Sequence, residues 1–548
     1  MPTATALTRV LVLRSCRTEV FAQAVAALTE QLGPVEVTAL SHPGHVEALT
    51  AAGARHVVEV TGRRFGLVRT PWRTIRALRR ERFDLVVVPQ MFDDDVAHCE
   101  VRQLAFALGT ARLGDFTVAR GLSVQPRQAW RRPLWHCTWR APLRALDVPA
   151  LFLLMAAARV WPRRAVRPAI RPRVLHVITT WGVGGAQVQL ASLAARTAAR
   201  HWDVEIFVLG QSDGDFSAQH LADADVPVRY AKAFPDMAAT VLELAALCRR
   251  ERYDVVHTWL FLANVLGATA ARLAGTPHVI SGVRNLSLWK RTWYARPWYR
   301  LADTVAARLC DVLTVNATAL RDDHAAWARV PASRIHVVPN GLDPARLIHD
   351  RPSARTALRH ELGLPSDAVV LGTVGRLAPE KDHETFLRIV AGLHAQGHAV
   401  TAVIAGDGER RASLEAAAAS LGLAHHVRFL GTRSDAPRVL AGLDLFLLTS
   451  RIEGMANVLI EAAMLGVPTV ATDAGGAADV LIDTESLFPA GDVAAGIAAT
   501  RRILGAPRVA EDVARATRAH ALAALTADRN VARWWSLYPR PLMDGPTS

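Results

Sequence analysis

The sequence predicts an α/β protein made of several parallel-sheet domains, and three observations carry that reading. Short β-rich apolar runs alternate with Ala-, Leu- and Arg-rich helical stretches along the chain. That is the pattern of βαβ units whose sheets are covered on both faces. The buried-strand candidates are mostly apolar runs: Val10–Leu13, Leu85–Val88, Val174–Ile178, Val204–Leu209, Val255–His257, Val312–Val315, Val369–Gly372, Val400–Ile404, Leu445–Leu448 and Thr469–Ala471. Finally, 548 residues exceed what one core accommodates, which suggests about three domains.

The first stretch, residues 1–145, reads as an extra Rossmann-like domain, because it resembles the stretch that begins at 173. Arg9-Val10-Leu11 opens one strand and Arg173-Val174-Leu175 another. Arg79-Arg80-Glu81-Arg82-Phe83-Asp84-Leu85 parallels Arg249-Arg250-Glu251-Arg252-Tyr253-Asp254-Val255. A chance match of two helix–strand junctions is the competing reading. Between the copies, residues 146–172 form a basic, aromatic, Pro-rich linker. Residues 173–345 and 346–515 then form two further α/β domains, separated near Pro339, Pro344 and Pro352, and 516–548 is a helical tail.

The net charge of +14 is unevenly placed. Residues 1–172 hold 25 Arg, no Lys and 13 Asp or Glu, a net of +12, which leaves +2 for the rest. Arginine-rich surfaces suit phosphates on lipid headgroups or nucleic acid; a codon bias toward Arg and Ala accounts for the excess equally well. Eight Arg from Arg63 to Arg82 surround Trp72, Ile75 and Leu78. As an amphipathic helix that segment suits an anionic membrane surface. Trp289, Trp293 and Trp298 add a second basic aromatic cluster, and interdomain packing explains these Trp residues as well as membrane contact does. The five cysteines are scattered without metal spacing, which reads as a reducing compartment. No signal peptide is visible, and the longest uncharged apolar run, Val148–Ala158, is short of a bilayer span. The expected location is cytoplasmic, peripheral on the inner membrane face. Asp93-Asp94-Asp95 contains a DxD that would suit a metal-bound nucleotide, but it lacks the surrounding motifs and reads as a solvated loop.

Chemistry concentrates after strand ends, where open α/β sheets bind ligands. After Val174–Ile178 comes Trp181-Gly182-Val183-Gly184-Gly185, whose glycines admit a ligand close to backbone N–H groups. After Val369–Gly372, Arg376 and Lys381 stand five apart and can reach one diphosphate from two sides. Last comes Glu453-Gly454-Met455-Ala456-Asn457-Val458-Leu459-Ile460-Glu461. Glu453 precedes a helix patterned over Asn457–Leu465, and Glu461 lies two turns further on than Glu453. A carboxylate accepts hydrogen bonds from vicinal hydroxyls, so Glu461 fits a ribose and Glu453 a hexose; solvated surface glutamates are the bland alternative.

This run resembles the EGxxNxxxEA donor motif of the retaining GT-B glycosyltransferases of family 4, the "glycosyl transferases group 1". Four other pieces follow the family order: Gly184-Gly185, Pro339-Asn340-Gly341-Leu342-Asp343, Gly375-Arg376-Leu377 with Glu380-Lys381, and Ala405-Gly406-Asp407-Gly408. The resemblance covers about 173–515. It implies a GT-B fold of two facing Rossmann-like domains. It also implies metal-independent, retaining hexosyl transfer from a UDP- or GDP-linked sugar to a glycan or lipid-linked acceptor. Arg376 and Lys381 would hold the diphosphate, Glu461 the ribose and Glu453 the sugar. Gly454, Met455, Ala456 and Asn457 would sit beside sugar and phosphate, and Gly184 and Gly185 would close from the facing domain. Two positions depart from the family. Arg284 stands where a His is frequent; it can neutralise a leaving diphosphate but cannot act as a base. His257-Thr258-Trp259 replaces a His-x-His, leaving His257 as a cleft residue or a strand end. The alternatives are a non-catalytic GT-B scaffold and a basic phosphate- or nucleic-acid-binding protein. The ordered donor motifs argue against a nucleic-acid partner.

Overall fold

The computed structural model describes residues 8–13, 18–41, 43–60, 70–90, 99–108, 110–117, 121–126, 131–165, 171–182, 184–210, 221, 224–291 and 296–539. The chain divides into two units, Met1–Leu146 and Asp147–Ser548.

In the first unit, strands β1 (Thr8–Leu13), β2 (Val35–Ser41), β3 (His56–Glu59), β4 (Leu85–Gln90), β5 (Arg112–Thr117) and β6 (Gly121–Pro126) form one sheet. Their order is β3-β2-β1-β4-β5-β6, parallel except for the β5–β6 hairpin. Successive side chains of β1 and β4 point to opposite faces. Leu11, Leu13, Val86 and Val88 join one core; Val10, Val12, Leu85 and Val87 join the other. Both faces are covered, which is why these strands read as unbroken apolar runs. The helix Trp72–Arg80 buries Ile75 and Leu78 and exposes Arg73, Arg76, Arg79 and Arg80. Trp72 is half exposed, with Arg76 and Arg79 over its ring at 5.6 and 5.5 Å. Arg63, Arg64 and Asp93–Asp95 lie outside the described residues.

The second unit carries two more sheets. One contains β7 (Arg173–Thr180), β8 (Asp203–Gly210), β9 (Val228–Tyr230), β10 (Val255–Trp259), β11 (His278–Val283), β12 (Val312–Val315) and β13 (Ile335–Val337), ordered β13-β12-β11-β10-β7-β8-β9. The other contains β14 (Val369–Val374), β15 (Val400–Ala405), β16 (Val427–Gly431), β17 (Leu445–Leu448), β18 (Thr469–Thr472) and β19 (Leu487–Phe488), ordered β16-β15-β14-β17-β18-β19. Both are wholly parallel. Counted from its own first strand, each of the three sheets begins 3-2-1-4-5-6, the dinucleotide-fold order.

The similarity between the first two sheets extends to atoms. Asp84 accepts from Arg9 N at 2.8 Å, and Asp254 accepts from Arg173 N at 3.0 Å. Arg9 pairs with Glu81 at 3.4 Å and lies 5.4 Å from the Phe83 ring centre; Arg173 pairs with Glu251 at 3.2 Å and lies 5.3 Å from Tyr253. Arg82 and Arg252 share a left-handed φ, 52° and 57°. One set of contacts at equivalent positions of two sheets is what an internal copy requires.

Two segments depart from the expected boundaries. The linker stretch is helical up to Val160 within the single helix Arg131–Val160, and Leu151, Met155 and Ala158 pack into the second unit's core. The boundary at 515 falls inside the helix Pro507–Ala524. The following helix, Ala527–Ser536, crosses back to the sheet of β7. There Val531, Trp534 and Tyr538 pack with Val174, Ile178, Trp181 and Trp202. The chain leaves that sheet at Leu342 and returns beside it: Leu342 N donates to Leu525 O at 2.9 Å and Ala527 N to Leu342 O at 2.8 Å. Trp534 is fully buried, so Trp534→Ala is expected to cost about 3–5 kcal/mol, measured by denaturant unfolding.

Candidate active site

The carboxyl ends of β7 and β14 feed the loops that carry the chemistry. On the β7 side, Gly184 caps the helix Gly185–Ala198 in an extended conformation. A Cβ on Gly184 would collide with the side-chain oxygen of Gln187, whose amide donates to Thr180 O at 3.1 Å. Gly185 meets the start of the helix Asn457–Leu465: Asn457 Nδ2 donates to Gly185 O at 3.4 Å. The structure therefore brings Gly184, Gly185 and Asn457 together across two sheets.

On the β14 side, four loops stack through glycines. Gly406 is pressed against the Gly375 backbone, and a Cβ on Gly408 would lie 2.6 Å from Leu377 O. Gly475 packs on the Glu453–Gly454 backbone, and Gly476 N donates to Gly454 O at 2.5 Å. Upon this frame Lys381 donates to Glu453, Arg376 pairs with Glu380, and Arg451 pairs with Asp382 at 2.6 Å. Arg376 is 68% exposed, an open cation at the mouth. Glu461 has no hydrogen bond or ion pair with any described residue. Though it keeps partial solvent access, protein surrounds it, and this desolvation pushes its carboxyl up to about 7.

Asn340 ties the two sides together. Its Nδ2 donates to Met455 O and to Asn457 Oδ1, both at 2.9 Å, and its Oδ1 accepts from Arg284 at 2.9 Å. The Arg284 guanidinium lies 4.3 Å from the Trp259 ring centre and 5.3 Å from Trp534, and two of its nitrogens lack partners. Burial lowers it to about 9. Ala456 caps the helix beside this group, and Met455 is buried. Arg284 lines a cavity of about 470 Å³ between the two sheets, together with Phe261, Trp289, Tyr299, Arg376 and Ile452.

His257 sits elsewhere, which corrects the reading of it as a cleft residue. It is fully buried in an aromatic cluster, 4.6 Å from Trp259 and 4.5 Å from Trp534 between ring centres, with Nδ1 3.4 Å from Tyr538 OH. Burial, with His176 nearby, holds it neutral. It does not line the cavity.

Residues 183–346 match the family described as Glycosyltransferase Family 4, and residues 354–520 match Glycosyl transferases group 1. The 2-deoxystreptamine glucosyltransferase of Streptomyces kanamyceticus is 32% identical over 288 residues, 50% of this chain and 73% of that protein. The chain belongs to the family 4 glycosyltransferases. The Vi polysaccharide biosynthesis protein VipC/TviE of Salmonella typhi is 31% identical over 246 residues, 44% of this chain; the match spans only 42% of that relative's length. Anabaena Alr3699/HepE, solved with UDP-glucose, shares the GT-B fold with a TM-score of 0.57 at 24% identity, over 66% of this chain and 99% of that one.

In this transferase, Asn340, Gln189 and Gly475 are the structural members that motif reading left without a role. Gln189 exchanges bonds of 3.0 and 2.9 Å with the Gly341 backbone. Asn340 and Gly341 belong to the Pro339–Asp343 motif, so a signal was present; their partners Gln189, Met455 and Asn457 lie more than 100 positions away, and no local pattern points there. Arg428 turns to the carbonyl of His425 at 2.9 Å.

Proposed function

We propose that this glycosyltransferase moves a hexose from a UDP- or GDP-linked donor to a glycan or lipid-linked hydroxyl, with retention of anomeric configuration. One arrangement carries the reading. The Lys381–Glu453 pair precedes the Asn457 helix, the unpartnered Glu461 carboxylate lies one turn into it, and the helix start meets Gly185 of the facing loop. Glu461 would accept the ribose hydroxyls and Glu453 a sugar hydroxyl. Arg376, Lys381 and the helix N–H groups would surround the diphosphate. The acceptor hydroxyl attacks the anomeric carbon from the face the diphosphate leaves. The carbon–phosphate oxygen bond breaks, the new glycosidic bond forms, and the hydroxyl proton passes to the departing phosphate oxygen. Fixed cations stabilise the charge growing there. The similarity to a polysaccharide biosynthesis protein supports a glycan acceptor.

The test is thermal shift with UDP, GDP and ADP. One nucleoside diphosphate is expected to raise the melting temperature, and Lys381→Ala to remove most of that rise. Absence of stabilisation by all three would overturn the donor assignment.

A further inference from the structure

The cavity of about 470 Å³ that opens beside Arg376 has two unlike walls. The wall toward β14 is polar, with Arg376 and its partner Glu380. The opposite wall is aromatic. Phe261 and Tyr299 lie 4.6 Å apart between ring centres, and Trp289 meets both at 5.9 and 6.3 Å. Leu260, Leu262 and Val283 extend it.

The polar groups of this second wall are engaged or shut away: two Arg284 nitrogens and the Thr179 hydroxyl lack partners, but those atoms are buried from the cavity surface. Asn264 donates to Gly282 O at 3.0 Å and its side-chain oxygen accepts from Thr258 at 2.8 Å. The side chain of Asn285 accepts from Leu286 N at 2.9 Å. Lys290 is neutralised by the buried Asp303, and its ammonium lies 4.5 Å from the Phe261 ring centre. A bare saccharide needs unspent donors and acceptors for each hydroxyl it buries. This wall offers apolar surface instead, and a small number of polar groups on one side of an apolar pocket orients a two-faced ligand.

We propose that the acceptor is an amphiphile whose apolar portion rests on Phe261, Trp289 and Tyr299, while its reacting hydroxyl faces Arg376. This rests on the reading of the cavity as the acceptor side of the transferase. It narrows the acceptor from any glycan to one carrying an alkyl or aromatic group next to the hydroxyl that is glycosylated.

The probes are methyl, butyl and octyl β-glucosides, each below its micelle concentration, titrated into the full chain saturated with whichever nucleoside diphosphate stabilises it. Intrinsic tryptophan fluorescence reads the binding. Affinity is expected to rise with chain length, up to about fourfold for each methylene buried. Trp289→Ala should flatten that dependence, and Trp289→Leu, which keeps apolar bulk, should restore part of it. Nucleotide stabilisation should be unchanged in both variants, which shows that they fold. Equal affinity for methyl and octyl glucoside, or a chain-length dependence that survives Trp289→Ala, would overturn the proposal. Loss of nucleotide stabilisation by the wild-type chain would instead strike the donor reading.

Discussion

Glu461→Gln is expected to abolish transfer while making the protein more stable above neutral pH. Burial raises the Glu461 carboxyl from its ordinary 4.5 to about 7. In the unfolded chain the same carboxyl ionises near its ordinary value. As pH rises from about 4.5 toward 7, the unfolded chain loses a proton that the native state retains, so native stability falls. A tenfold change in proton affinity is worth about 1.4 kcal/mol, which puts the full penalty at about 3 kcal/mol at alkaline pH and at zero in acid. Glutamine has no charge to desolvate. Its thermal midpoint should therefore exceed that of the wild type at about pH 8 and converge with it at about pH 4. Function moves the other way. Hydrogen bonds to a charged partner contribute about 1.5–3 kcal/mol each, so losing the carboxylate should weaken nucleotide binding at least tenfold. Because the donor stabilises the ionised form, binding to wild type near pH 7 should release a proton. Calorimetry in buffers of different ionisation enthalpy would detect that release in wild type and its absence in Glu461→Gln. Undiminished turnover in the variant would sink the ribose role. A variant that gains stability but loses activity marks a residue kept for its ligand rather than for the fold.

The sheets were legible because parallel strands buried on both faces carry an unmistakable pattern, as in Val10–Leu13 and Val369–Gly372. The internal copy was legible from Asp84 and Asp254, which hold the same backbone position in two sheets. The helix through 146–160 was not, because Pro142 and Pro149 signal a break; burial of Leu151 and Met155 outweighs that local cost. At the site, Glu453, Glu461 and Lys381 stood out since their spacing follows from one helix and two adjacent loops. His257 did not, because a strand-end His reads alike whether it faces a cleft or a tryptophan cluster. Trp534, which covers it, comes 277 positions later. The dual role of Asn340 was equally invisible. Its partners Arg284, Met455 and Asn457 are brought together only by the crossing of the chain at Leu342.

That crossing sets up the second large effect. Gly454→Ala is expected to lower kcat/KM by about a hundredfold, with a stability loss of about 1–3 kcal/mol. The φ of Gly454 is not left-handed, so alanine is free of backbone strain there and the penalty is purely one of space. An added Cβ would fall on the carbonyl oxygen of Arg284 and 2.8 Å from Asn316 Oδ1. Arg284 ends the run from β11, and its own guanidinium is locked between Asn340, Trp259 and Trp534. The carbonyl therefore cannot retreat, and the Glu453–Ala456 loop must. Moving that loop drags Glu453 from Lys381 and breaks the bond from Asn340 to the Met455 carbonyl. The control is Gly363→Ala. Gly363 has a left-handed φ of 65° with nothing within 4 Å of a Cβ, so its cost is backbone strain of about 1–2 kcal/mol at a helix end outside the donor loops. The two variants should be similarly destabilised yet differ sharply in turnover. Equal activity in both would show that the Arg284–Gly454 contact opens in the working transferase, and that the close approach of the two sheets is not what positions Glu453.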